Sequence, residues 1–269
     1  MRDDGEVQGP SNTRFSLIEV VEETGSTNKD LLDAASRGAP EGRVLVTGHQ
    51  TAGRGRQGRS WHDDPGSSLL CSVLLRPDPS WAPLIPLATG LAVVAGIEVA
   101  TGVVAHLKWP NDVLVSVPKV GDRKLCGILA EAAGSGVPGA SGRADGFVVV
   151  VGFGMNLRWT TVLPDEVAAR SIDLASLTEA SVERMHILLP TLTALETRLR
   201  QLEGGLIDEL LDDYRGRCSS IGRMVRFETP RGELYGEVTG IDVSGGLVLV
   251  TSDGIRHVLT SGEAHHVTL

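Results

Sequence analysis

Gly53-Arg54-Gly55-Arg56-Gln57-Gly58-Arg59-Ser60-Trp61 sets three glycines among three arginines and closes on a tryptophan. Glycine lets the backbone take positive φ and come close to a ligand, because no Cβ stands in the way. Arginine brings a rigid cationic fork that suits carboxylate and phosphate oxygens. The run reads as a loop folding over something small and anionic. A solvated charged loop, or an RGG-like segment holding RNA without sequence preference, fits the same residues.

The composition narrows this choice. The chain has 269 residues, 41% of them hydrophobic, enough for one large domain or one domain with a small appendage. Its formal charge of −9 opposes a nucleic-acid backbone, and 4% aromatic residues is too few for a base-stacking platform. Cys71, Cys126 and Cys218 are odd in number and form no CxxC pair. They read as small buried hydrophobes in a reducing compartment, without a disulfide framework or zinc site. Residues 1–10 lack the apolar stretch of a signal peptide. Leu84–Ala100 is apolar but contains Pro86, Gly90, Gly96 and Glu98, and reads as too short and interrupted to cross a bilayer. The expected location is cytoplasmic, with neither membrane nor nucleic acid as partner.

Working outward from the loop, residues 1–14 read as a mobile polar tail and Ser16–Val21 as a strand. Gly25-Ser26-Thr27-Asn28-Lys29-Asp30 leads into an apolar run, and Thr27 and Asp30 have capping-box spacing, which predicts a helix start. Ser26 and Thr27 then either cap that helix or offer their hydroxyls to a neutral polar ligand. Strands are expected at Arg43–Gln50, Leu69–Leu75, His106–Lys108, Lys124–Glu131 and Phe147–Val151, and a helix at Pro83–Thr101. Residues 134–146 read as a Gly/Ser-rich surface loop. Val182–Leu202 keeps helical apolar spacing with Pro190 inside it, which should kink or split that helix. A second helix is expected at Leu206–Tyr214. Beyond Cys218, short strands at 224–227, 234–238, 247–250 and 256–259 alternate with glycines and suggest a small β-barrel. The chain is thus divided into a tail (1–14), a main domain (15–218) and a C-terminal domain (219–269).

Lys108-Trp109-Pro110-Asn111-Asp112 places a cation, a ring, a rigid turn and a carboxylate within five residues. Asp112 could hold Mg²⁺, which needs only one or two carboxylates besides substrate phosphates. Pro-Asn-Asp is equally good turn chemistry without any ligand. Gly127, within Arg123-Lys124-Leu125-Cys126-Gly127-Ile128-Leu129, and the glycines of Gly152-Phe153-Gly154-Met155-Asn156 mark points of close approach in strands. No Walker A, GxSxG or HExxH pattern occurs.

At these motifs, together with Gly25-Ser26-Thr27-Asn28 and Gln50-Thr51-Ala52, the chain resembles the biotin protein ligase family in its short, monofunctional form. The resemblance covers roughly residues 16–269. It implies an α+β fold: a mixed-sheet catalytic domain flanked by helices, related to class II aminoacyl-tRNA synthetases, and a C-terminal SH3-like barrel. It also implies ATP-dependent formation of biotinyl-5′-AMP and transfer of biotin to a lysine of a biotin carboxyl carrier protein domain. A carboxylate attacking an α-phosphate needs cations where charge builds up. By resemblance, Lys124, Arg54 and Arg56 take the catalytic role. Ser26, Thr27, Asn28, Gln50, Gly53, Arg54, Gly55, Arg56, Lys124 and Gly127 bind biotin. Arg56, Arg59, Trp61, Lys108, Asn111 and Asn156 bind ATP, and Asp112 holds Mg²⁺. The loop should be mobile in the free protein and close over biotin or its adenylate.

Cys126 stands where the family pattern has alanine. Only 24 residues precede Gly25, against the ~60 that a helix-turn-helix domain needs, so no operator binding is expected. The expected partners are biotin, ATP and the carrier domain, and the expected state is a monomer or weak dimer. A lipoate or octanoate ligase is the alternative enzyme. An RNA- or anion-binding protein is the alternative from another class.

Overall fold

The computed structural model describes residues 5–134, 146–159, 165–229 and 232–266. The expected 134–146 loop lies, but for its two ends, outside the described residues. The strands of the first unit are β1 (Gly5–Gln8), β2 (Leu17–Val21), β3 (Val44–Thr47), β4 (Ser68–Leu75), β5 (His106–Lys108), β6 (Asp112–Val117), β7 (Gly121–Ala133) and β8 (Val148–Asn156). They form one sheet in the order β1-β2-β3-β4-β8-β7-β6-β5, in which β2 and β3 run parallel and all other neighbours antiparallel. The helices are α1 (Thr27–Ser36), α2 (Ile85–Thr101), the single turn α3 (Asp165–Ala168), α4 (Arg184–Glu203) and α5 (Ile207–Arg217). The expected mixed sheet flanked by helices is what the chain adopts.

Side-chain alternation sorts the two faces of the sheet. Leu69, Cys71, Val73 and Leu75 of β4, with Val149, Val151, Phe153 and Met155 of β8, pack into the main core with α2 and α4. Leu74 of β4 and Val148 and Val150 of β8 point the other way and meet Leu31 of α1. α1 covers only part of that second face. Beyond its N-terminus the same face continues as Ser72, Gly152 and Gly154, and there the pocket forms.

α2 and α4 come together at Gly96, where a Cβ would lie 1.9 Å from Thr191 Oγ1. The helical stretch Pro79–Thr101 is long and apolar enough to cross a membrane, yet it is mostly buried within the protein. The 3-10 turn Pro79–Leu84 leads straight into α2, which serves as a core helix. α4 continues unbroken through Pro190. Pro190 forfeits one backbone hydrogen bond, while buried Ile187, Leu188, Thr191, Leu192 and Leu195 on both sides of it hold the helix against the core.

The tail reading of residues 1–14 is corrected from Gly5 onward; residues 1–4 lie outside the described residues. β1 pairs with β2, and the return between them is pinned by Arg14. Its guanidinium binds Glu41, Glu196 and Glu203, each at 2.9 Å. β1 is exposed along its whole length, so it has no apolar alternation to announce it. β6 and β13 (Ala264–His266) were likewise missed. β13 joins β9 (Met224–Thr229), β10 (Gly232–Ile241), β11 (Leu247–Thr251) and β12 (Arg256–Leu259) in a five-stranded antiparallel sheet, order β12-β11-β10-β9-β13. Trp109 anchors this C-terminal unit to the first: its Nε1–H donates to the Gly245 carbonyl at 3.0 Å, and its ring lies 6.1 Å from that of Phe227.

Candidate functional site

The pocket floor is a patch of sheet from which side chains have been removed. In the β7–β8 register Gly127 faces Gly154, and Leu129 faces Gly152. A Cβ on Gly154 would lie 2.8 Å from Trp61 Cε2, and one on Gly127 3.0 Å from Trp61 Cζ3. A Cβ on Gly152 would lie 2.2 Å from Asn28 Oδ1. Each glycine is weak evidence in the sequence; the register makes them one surface, and the Trp61 indole lies across it with its Nε1 buried and without a hydrogen-bond partner among the described residues.

Lys124 reaches this floor through a β-bulge. Leu114 of β6 faces Lys124 while Val113 faces Cys126, so Leu125 is an extra residue in β7. Without the bulge, strand alternation would send Lys124 and Gly127 to opposite faces. With it, Lys124 Nζ would lie 3.1 Å from a Cβ on Gly127, and it sits 2.6 Å from Asp112 Oδ1 and 5.7 Å from the centre of the Trp61 ring. Cys126 faces the core, where burial pushes its thiol up, as it does that of Cys71.

At the other end of the floor a polar network surrounds the start of α1. Gln50 Oε1 accepts from the Thr27 N–H at 2.7 Å and the Thr27 hydroxyl at 3.0 Å. The Thr27 and Ser72 hydroxyls lie 2.6 Å apart, and Ser72 donates to Asn28 Oδ1 at 2.6 Å. Asn28 Nδ2–H in turn reaches Glu131 at 2.9 Å. The two readings of Ser26 and Thr27 are thereby separated. Ser26 is the N-cap residue but makes no side-chain cap, Asp30 bonds the Thr24 hydroxyl, and Thr27 is committed to Gln50 and Ser72. Thr27, Asn28 and Ser72 are buried. From the Gly152–Leu129 row to Lys124 the floor runs five residues along β7, roughly 15 Å at the rise of a strand.

The glycine/arginine loop forms the roof. It is a small hairpin: Gly55 N–H donates to the Arg59 carbonyl at 2.7 Å and Trp61 N–H to the Gly53 carbonyl at 3.0 Å. Its tip passes through positive φ at Gln57 (56°) and Gly58 (73°), conformations that glycine takes freely and other residues seldom. Arg54 pairs with Glu131 at 2.8 Å. Arg56 donates to Asn111 Oδ1 at 3.1 Å and to the Gly262 carbonyl at 3.3 Å. Burial pulls the Arg56 guanidinium down from its ordinary value, against the favourable charges of Asp112 and Glu263. Arg59 is paired with Glu263. Burial works to raise the Glu263 carboxyl, but Arg59 outweighs it and leaves the group lowered.

Ser26, Thr27, Asn28, Gln50, Arg54, Gly55, Arg56, Arg59, Trp61, Asn111, Asp112, Lys124 and Gly127 all line this one pocket. Gly53, Lys108 and Asn156 are not among its lining residues. Gly53 packs behind the loop on the Trp61 carbonyl, and Asn156 is buried with its Nδ2 on the Ile172 carbonyl at 3.1 Å. Sequence reading missed Ser72, Glu131, Gly262 and Glu263. A lone hydroxyl in the apolar strand Leu69–Leu75 was the available signal for Ser72. Glu131 could have been found as the acid ending an apolar strand, but nothing local marks Gly262 and Glu263. Among the described residues no group of three or more His, Cys, Asp or Glu is arranged to hold a metal, and Asp112 is already engaged by Lys124. These residues do not fit a resident metal ion.

Residues 18–154 match the Biotin/lipoate A/B protein ligase family, and residues 220–267 the Biotin protein ligase C terminal domain. The chain is 38% identical over 259 residues to the biotin–[acetyl-CoA-carboxylase] ligase of Mycobacterium tuberculosis, covering 93% of this chain and 89% of that one. It is 31% identical over 238 residues to the bifunctional ligase/repressor BirA of Bacillus spizizenii, covering 88% and 70%. The biotin protein ligase of Aquifex aeolicus, solved in complex with biotin and ATP, superimposes with a TM-score of 0.75 at 26% identity, covering 92% of this chain and 97% of that one.

Proposed function

The chain belongs to the biotin/lipoate A/B protein ligase family, and from that premise we propose that it is an ATP-dependent biotin protein ligase. A biotin carboxylate oxygen attacks the α-phosphorus of ATP, diphosphate leaves, and biotinyl-5′-AMP results. The amine of a specific lysine on a biotin carboxyl carrier domain then attacks the acyl carbon, AMP leaves and the nitrogen loses a proton. The observation that carries this reading is the pocket's layout: the hydroxyls and amides of Thr27, Ser72, Asn28 and Gln50 at one end and Lys124 and Arg56 at the other, joined by a floor of glycines under Trp61.

Biotin matches that plan, with a neutral ureido ring, an apolar chain and a terminal carboxylate. Thr27, Ser72, Asn28 and Gln50 meet the ureido oxygen and N–H groups. Gly127 and Gly154 leave room for the chain beside Trp61. Lys124 and Arg56 hold the carboxylate and α-phosphate oxygens as charge develops, which is where fixed cations act most strongly. Arg54 joins them on leaving Glu131. Trp61 offers a flat face to the adenine, and Asn111 lies on the nucleotide side. Magnesium enters with the triphosphate as its counter-ion, not as a resident of the protein. Closure of the loop keeps water from the mixed anhydride.

The test incubates the protein with tagged biotin, ATP, Mg²⁺ and a carrier domain, and follows label on the carrier lysine. Label is expected only with all components present. Uptake of lipoate in place of biotin would overturn the reading in favour of a lipoate ligase.

A further inference from the structure

A buried carboxylate stands at the base of the glycine/arginine loop, outside the pocket wall. His49 immediately precedes Gln50, and Asp63 follows Trp61 by two residues, so the two flank the loop in sequence. They meet in space, with His49 Nδ1 lying 3.0 Å from Asp63 Oδ2. The same oxygen accepts the Gln50 N–H at 3.3 Å. The Asp63 side chain is 1% exposed, and its Oδ1 is buried with no hydrogen-bond partner among the described residues. The rest of the stem is held independently. The His49 carbonyl accepts the Thr47 hydroxyl at 3.0 Å and the Thr24 N–H at 3.3 Å, and Thr51 N–H donates to the Thr24 carbonyl at 2.9 Å.

The cost of this arrangement indicates its purpose. A buried carboxylate with one oxygen unpaired is a liability to a fold. Burial pushes the Asp63 carboxyl up from the usual range, against the hydrogen bonds from His49 and Gln50. Asp64 adds to the negative charge around it, and Glu23 approaches His49 Nε2 to 3.7 Å. What Asp63 gives in return is local: it ties residue 49 to residue 63 and fixes the backbone of Gln50, whose side chain is bonded to Thr27 inside the pocket.

We propose that His49 and Asp63 form a positioning pair for the ligase reaction, joining the two ends of the loop and holding Gln50 in place for the ureido ring of biotin. The inference rests on the ligase reading above. Neither residue touches the reacting atoms; both act through Gln50. Their loss therefore weakens the grip on biotin and leaves the chemistry at the α-phosphate intact.

Biotin-dependent diphosphate release is measured against biotin and against ATP for the wild type, Asp63→Ala, Asp63→Asn and His49→Ala, with a melting temperature for each. Asp63→Ala is expected to raise KM for biotin about tenfold, the worth of one to two lost hydrogen bonds, with KM for ATP and kcat within about twofold. Its melting temperature does not fall. Asp63→Asn, which keeps an oxygen for the Gln50 N–H and for His49, recovers most of the affinity. His49→Ala raises KM for biotin by about three- to fivefold. Wild-type KM for biotin in both folded alanine variants overturns the proposal. So does an equal rise for biotin and ATP, or a fall in melting temperature with KM unchanged. If Asp63→Ala does not fold, His49→Ala decides, because its side chain is partly exposed. A wild-type protein with no biotin-dependent diphosphate release would instead sink the ligase reading itself, a different result from a variant that behaves like the wild type.

Discussion

The floor and the roof of the pocket are built on opposite principles. The floor is a fixed surface: Thr27, Asn28 and Ser72 are buried and bonded to one another, and strand register sets the glycines. The roof is a set of borrowed contacts. Arg54 and Arg59 have side chains 54% and 61% exposed, against 31% for Lys124, and they lean on Glu131 and Glu263. Exposed ion pairs are worth about 0–1 kcal/mol, so an anionic ligand can take these arginines over at little cost. The floor therefore decides what fits, and the roof lends charge to whatever has fitted.

The largest expected effect tests that division where a cation belongs to the floor. Lys124→Ala should lower biotinyl-adenylate formation by about 10²–10³-fold, the usual worth of one preorganised electrostatic group, with the melting temperature nearly unchanged. Arg59→Ala, on the roof, should cost less than about tenfold. Radiolabelled adenylate resolved by chromatography reads both. Equal losses would erase the distinction between the walls.

A smaller effect concerns the floor's shape. A methyl on Gly154 would stand 2.8 Å from Trp61 Cε2, so Gly154→Ala must push the indole off the sheet. KM for ATP is expected to rise about tenfold, the scale of an overpacked contact. Gly216→Ala is the control, since a Cβ on Gly216 in α5 meets nothing within 4 Å. If the two variants gave the same KM, Trp61 would have no part in nucleotide binding.

The loop of the roof was legible in the sequence as one piece, whereas most residues of the floor could be named there but not their convergence. Gly53–Trp61 is contiguous, so its chemistry can be read in one line, and short apolar runs mark most of β2, β3, β4 and β8. The floor exists only once strands are in register. Gly127 and Gly154 are 27 residues apart in sequence and neighbours across a ladder. The bulge at Leu125 that turns Lys124 toward them leaves no mark in residue type. Glu263 arrives from the far end of the chain. β1 and β6 escaped for local reasons, the first because an exposed edge strand has no buried face to pattern. The second was hidden by Pro110-Asn111-Asp112, which reads as a turn and sits beside a strand that begins at Asp112.

The smallest expected effect reaches the roof through the seam that seats the C-terminal unit. His266 of β13 lies 3.3 Å from Arg223 Nη1 and 3.2 Å from Ser220 Oγ, while Asp122 of β7 is approached by Arg223 at 3.2 Å and His106 at 3.4 Å. Burial, helped by the charges of Lys108 and Arg223 and opposed by Asp122, brings His266 down to about 4. Burial lowers His106 as well. A histidine lowered by folding binds its proton more tightly when unfolded. Its contribution is whole above its ordinary value near 6.5 and is lost as pH falls toward 4. Screening at this half-exposed position leaves about 1 kcal/mol of that penalty, or roughly 2–4 °C. The melting temperature of the wild type should fall between pH 7 and pH 5 by that much more than in His266→Gln, which keeps a partner for Ser220 without the titration. Because Arg56 and Arg59 reach Gly262 and Glu263 just ahead of β13, the same acid shift should weaken the roof before it disturbs the floor. Parallel melting curves for the two proteins would place the roof's anchorage elsewhere.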